Sequence, residues 1–246
     1  MGAKTWMLVL ADRSPREVLT AGPRLDREAT KALAAKLFPN DELTPLDDGT
    51  LFDISPPDHE LCIGVFDGLA IVTAAEFCLD RPSELPRHFL TARPGASVYL
   101  HAMHSVVDWC AFAEWRDGTL RRSLSVSAEQ GVIEERGERL PHERPFWDGA
   151  HPAVDPEEEP DGYPLPFHPL ELAEATLWEW FGFVVEGYDD VPASPLDLET
   201  VPLLRFQRRP RSAAAAPAPA RAHIEVPPPP DVTAILQRRW WQFWRR

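Results

Sequence analysis

His101, His104 and Asp108 fall within the segment VYLHAMHSVVDW (98–109), and imidazole together with carboxylate is the donor set that holds divalent metals or moves protons. Helical spacing would put all three on one face, whereas on a strand positions 101 and 104 point to opposite faces. The residues from 97 to 103 favour a strand, so a joint site requires a bulge or tight turn at His104–Ser105. Ser105 beside them completes the composition of a serine triad, but no strand–turn–helix elbow surrounds it. One functional expectation is therefore a metal-assisted enzyme using His101, His104 and Asp108. The plainer expectation is that these histidines bond to backbone at a strand end. No glycine-rich phosphate loop follows any strand, and no cofactor is implied.

A second group of residues points to binding. The terminal peptide DVTAILQRRWWQFWRR (231–246) carries Arg238, Arg239, Arg245 and Arg246 beside Trp240, Trp241, Phe243 and Trp244. Tryptophan and arginine are the types enriched in binding hot spots, and also in cationic peptides at membrane interfaces. Asp231 can cap a short helix that gathers Val232, Ile235, Leu236, Trp240 and Phe243 on one face, although Arg239 interrupts it. Bare aromatics in water are a solubility liability, so a cover is expected: an unidentified protein partner, the chain's own acidic body, or an anionic membrane surface.

Charge supports that division. Of the net −14, residues 203–246 contribute +7, from nine arginines against Glu225 and Asp231, which leaves −21 on residues 1–202. A body so negative repels nucleic acid, which makes a nucleic-acid partner disfavoured. The 27 prolines exceed average usage, so part of the length is expected to be unpacked, and residues 207–230 are mostly arginine, alanine and proline, the composition of an extended linker. The expected organisation is a globular domain over 1–206, a disordered leash over 207–230 and a short terminal helix over 231–246.

Three cysteines, Cys62, Cys78 and Cys110, lack zinc spacing and read as buried free thiols in a cytoplasmic protein. No stretch has the length of a membrane span, and the apolar run Trp6–Ala11 reads as a first strand rather than a secretory signal.

The elements that would position these groups alternate. Ser14–Pro15 starts a short helix ended by Gly22, and Asp26 caps a second running to Leu37, with Ala29, Ala32, Leu33 and Leu37 inward. Residues 39–57 are turn-rich. Asp67-Gly68 and Asp117-Gly118 each join two apolar strands as two-residue hairpins. The first sets Cys62 opposite Thr73. The second sets Trp115 opposite Leu120, Glu114 opposite Arg121, Ala111 opposite Leu124 and Trp109 opposite Val126, with one side of the sheet toward solvent. Ser83 caps a helix to Thr91, and a last helix runs from Pro169 toward Gly187, apolar nearly all round after Leu177. His142, His151 and His168 lie in loop-like sequence as solvated or capping residues. The fold expected is α+β, an antiparallel-dominated sheet of six to seven strands with helices packed on one face.

Several blocks, among them MGAKTWMLV, LDRPSELP (79–86), VYLHAMHSVVDW, GERLPHERPFW (137–147) and YPLPFHPLELAEA (163–175), resemble a family of uncharacterised actinobacterial proteins over about residues 1–187. The resemblance implies a bacterial cytoplasmic protein and carries no substrate, cofactor or catalytic residue. The tail lies outside it.

Overall fold

The computed structural model describes residues 3–153, 163–187 and 196–211. In chain order the strands are β1 (Lys4–Ala11), β2 (Asp41–Pro45), β3 (Gly49–Thr50), β4 (Glu60–Phe66), β5 (Leu69–Thr73), β6 (Ser97–His104), β7 (Trp109–Arg116), β8 (Thr119–Ser127), β9 (Gly131–Gly137) and β10 (Pro202–Pro210). The helices are α1 (Pro15–Thr20), α2 (Arg27–Leu37), α3 (Arg87–Leu90), α4 (Arg144–Trp147) and α5 (Pro169–Phe181). The strands form one antiparallel sheet in the order β2-β10-β4-β5-β1-β6-β7-β8-β9, with β3 added against β10.

The expected α+β class holds, but the sheet has ten strands among the described residues rather than six or seven. The additional ones are polar or short. β2 and β3 fall inside the turn-rich segment, and β10 runs four residues into the expected leash. Arginine disguised β10: Arg205 pairs with Glu60 at 2.9 Å, and Arg208 with Asp41 at 2.7 Å and with Glu76. Paired in this way, its cations tolerate a place inside the sheet.

Helices cover both faces, not one. On β1, Met7, Val9 and Ala11 point into a core built with α1 (Val18, Leu19), α4 (Phe146) and α5 (Leu172, Leu177, Phe181). Leu8 and Leu10 point into a second core with α2 (Ala34, Leu37), Phe77 and Phe89. The side expected to face solvent is polar but covered. Ser123 and Ser125 of β8 are buried there, beneath a 3-10 turn at Pro82–Glu84. Glu134 of β9 ties that turn down, accepting from Ser83 N (3.0 Å), Ser83 Oγ (2.5 Å) and Ser123 Oγ (2.6 Å). Ser83 therefore does not cap a long helix; the four-residue α3 follows Pro86 instead.

Local signals hold elsewhere. Asp26 caps α2 by accepting from Ala29 N, although the buried positions are Thr30, Ala34 and Leu37. The first hairpin pairs Cys62 with Thr73 as expected, and the three cysteines are free, with Cys78 exposed rather than buried. α5 stops earlier than Gly187, at Gly182, whose φ of +78° ends the helix without the strain a side chain would bring. No helix among the described residues is long and apolar enough to cross a membrane.

Candidate functional site

His101, His104 and Asp108 are not brought together. Strand alternation sends His101 into the α5-side core, fully buried. Its Nε2 lies 3.0 Å from the Ala173 carbonyl oxygen, which can only accept, so Nε2 carries the proton. Nδ1 then accepts from the Thr5 hydroxyl at 2.8 Å. Burial pushes this imidazole down to about pH 4, and both nitrogens are committed. His104 lies on the opposite face, its ring 5.8 Å from Trp6 and its Nδ1 accepting from Val106 N at 3.2 Å. Burial and Lys4 lower its pKa. The tight turn after His104 exists, a 3-10 turn over Ser105–Val107, but it delivers Asp108 elsewhere. Asp108 sits in the left-handed region at φ +42°, 3.7 Å from His168 Nε2. Among the described residues no three His, Cys, Asp or Glu side chains gather as metal ligands.

The structure builds its main polar constellation around α5 from residues the sequence did not single out. In the second hairpin Trp115 pairs with Leu120 as expected, but a bulge then shifts the ladder by one. Glu114 faces Arg122, Ala111 faces Ser125 and Trp109 faces Ser127, in place of Arg121, Leu124 and Val126. A one-residue shift turns every later side chain of β8 over. Arg122 is thereby driven into the α5-side core, where its side chain and that of Glu143 have no exposure. The guanidinium donates to both Glu143 oxygens, from Nε at 2.9 and 3.1 Å and from Nη2 at 2.6 Å. Its Nη1 meets the carbonyls of Arg136 and Gly137, at 3.3 and 3.2 Å. Glu143 also accepts from Leu140 N at 2.9 Å. No local signal marks this bulge; the buried acid at position 143 rationalises it.

His142 lies in a turn as expected, but it is not solvated: it packs between Phe112 and Trp180. Thr176 spends its hydroxyl proton on the Leu172 carbonyl at 2.8 Å, so His142 Nε2 donates to Thr176 Oγ1 at 3.2 Å. Burial, reinforced by the neighbouring Arg122 cation, pushes His142 down to about 4. His168 does cap, accepting from Leu170 N at 3.3 Å. His151 stacks on Phe146.

Beyond the end of α5, buried Glu174 folds the chain back by accepting from Val185 N at 2.8 Å and Glu186 N at 3.0 Å. Burial raises its pKa in spite of those bonds. Glu186 accepts from Ala3 N at 3.0 Å. A cavity of about 300 Å³ opens here between Met103, His168, Glu171, Glu174 and Glu186. Two of its carboxylates already hold backbone in place.

The expected partner-binding residues Arg238, Arg239, Trp240, Trp241, Phe243, Trp244, Arg245 and Arg246 lie outside the described residues, as do most of the leash and the acidic loop 155–161. A family model, that of a family of unknown function (DUF6928), matches residues 5–206. No curated protein and no solved structure matches the chain.

Proposed function

The chain belongs to this family of unknown function, and we propose that it is a non-catalytic binding protein whose residues 231–246 dock on an acidic protein partner. The observation that supports the reading is the internal commitment of the globule's reactive side chains. Both nitrogens of His101 hold core elements, as do the Arg122–Glu143 pair and the carboxylates of Glu134 and Glu174. The unspent recognition chemistry in the sequence is the cationic aromatic peptide, with four arginines beside three tryptophans and a phenylalanine. Arginine and tryptophan supply large contact area and charge-assisted hydrogen bonds from few residues.

Crosslinking pull-downs from the native host test this, comparing the full chain, a chain lacking 231–246, and a variant with Arg238, Arg239, Arg245 and Arg246 changed to serine. Both altered chains should lose the same acidic partner, and loss should grow with salt. An unchanged partner set rejects the reading. Flotation of the full chain on anionic vesicles, with no protein partner captured, replaces it with a membrane surface.

A further inference from the structure

The two cores of the sheet are unequally loaded with acid-sensitive groups. The two histidines whose imidazoles are pushed far down, His101 and His142, both face α5, and each donates a hydrogen bond to that helix. We propose that these two neutral imidazoles latch α5, His101 to the sheet and His142 to the turn before α4, and that acid releases α5 from its core while the α2 side stays packed.

The groups facing each latch set the direction. Around His101 the polar partners are the Thr5 hydroxyl of β1 and the Ala173 carbonyl of α5, so a charged imidazole there has no carboxylate bonded to it. Around His142 stand Thr176 of α5, Phe112 of β7, Trp180 of α5 and the Arg122 cation of β8. Glu143 and Glu135 are already engaged by Arg122, and the nearby Cys110 thiol stays neutral, its pKa raised by burial and by Glu143. A second positive charge therefore meets repulsion. Arg16 of α1 covers Trp178 from the outer side of α5, and His168 meets Asp108 at the head of the helix, beside Glu171 of the first turn.

The sign follows from linkage. A histidine held near 4 contributes fully above its ordinary value of 6.5, and that contribution drains away as pH falls toward about 4. Glu174, with its carboxyl raised, works the other way and offsets part of the loss. On the α2 side, Glu134 is lowered from 4.5, so the anchor it provides gives way only in stronger acid. His104 on that side is also lowered, by burial and by Lys4, but it is partly exposed, and the bond its protonation breaks is to Val106 N within its own turn rather than to a helix. The α5 side therefore yields first.

Amide exchange on the full chain between pH 7 and 4.5, corrected for intrinsic rates, reads this out. Protection over residues 169–187 should fall by about tenfold or more while α2 and β5 keep theirs. The double variant His101→Gln/His142→Gln retains both donors and cannot charge, so its protection should change little over the same range. Uniform loss across both faces overturns the proposal, as does a double variant with the same acid response. Should that variant not fold, imidazole NMR of the unaltered chain decides. Neutral Nε2–H rings persisting below pH 5, with α5 amides moving in the same titration, support the latch; rings titrating near 6.5 with α5 unmoved refute it.

Discussion

Arg122 and Glu143 have side chains with no exposure, so what the pair is worth depends on keeping both members. Glu143→Ala strands a guanidinium in the α5-side core and should lower unfolding free energy by about 3–5 kcal/mol in urea denaturation. Joint replacement, Arg122→Met with Glu143→Leu, should recover most of that loss, because an apolar pair of similar volume needs no desolvated charge. A joint variant as unstable as the single one would show that the carbonyls of Arg136 and Gly137, left without their donor, dominate instead. His101 was legible as chemistry but not as structure. Its residue type drew attention, and its parity on β6 already argued against a partnership with His104. What the sequence did not display was Ala173, 72 positions later, as the acceptor.

At the scale of elements, the two hairpins show what a turn can and cannot dictate. Asp67-Gly68 sets the whole register of β4 on β5, and Cys62 lands opposite Thr73. Asp117-Gly118 sets only the first two pairs before the bulge intervenes. Gly137 belongs to that irregularity: it pairs with Arg122 at φ +79°, and a Cβ there would lie 2.0 Å from the Arg121 carbonyl oxygen. Gly137→Ala should cost about 2 kcal/mol or more, read as a lowered denaturation midpoint, with Gly22→Ala as the control at a positive φ in open space. Equal losses would remove any special role for the bulge. Burial of the polar face was illegible for a related reason. Ser123, Ser125 and Glu134 look like solvent-side residues until Ser83, far along the chain, arrives to bond with the glutamate. Long-range partners of that kind leave no periodicity behind.

For the whole molecule, the boundary of the compact unit falls at Arg211, after β10 has paired with β2, β3 and β4. Chains ending at Arg211 should melt within about 2 °C of the full-length protein, a difference of about 1 kcal/mol or less. Chains ending at Val201 should fail to give a cooperative melt, since β4 would lose one neighbour and β2 its only one in the sheet order. A cooperative melt from the shorter chain would mean that β10 is an ornament rather than a closing strand.

That closing strand has a consequence for how the protein is made. Arg205 meets Glu60 from 145 positions away, and Leu204 lies against Ile63, so the apolar flank of β4 waits for its neighbour through most of synthesis. Assembly should therefore divide into an early stage around β1, β5 and β6 and a late docking event that seals the nascent chain. In the interval the unsealed edge is open to mispairing with other chains, the hazard from which a chaperone would shield it.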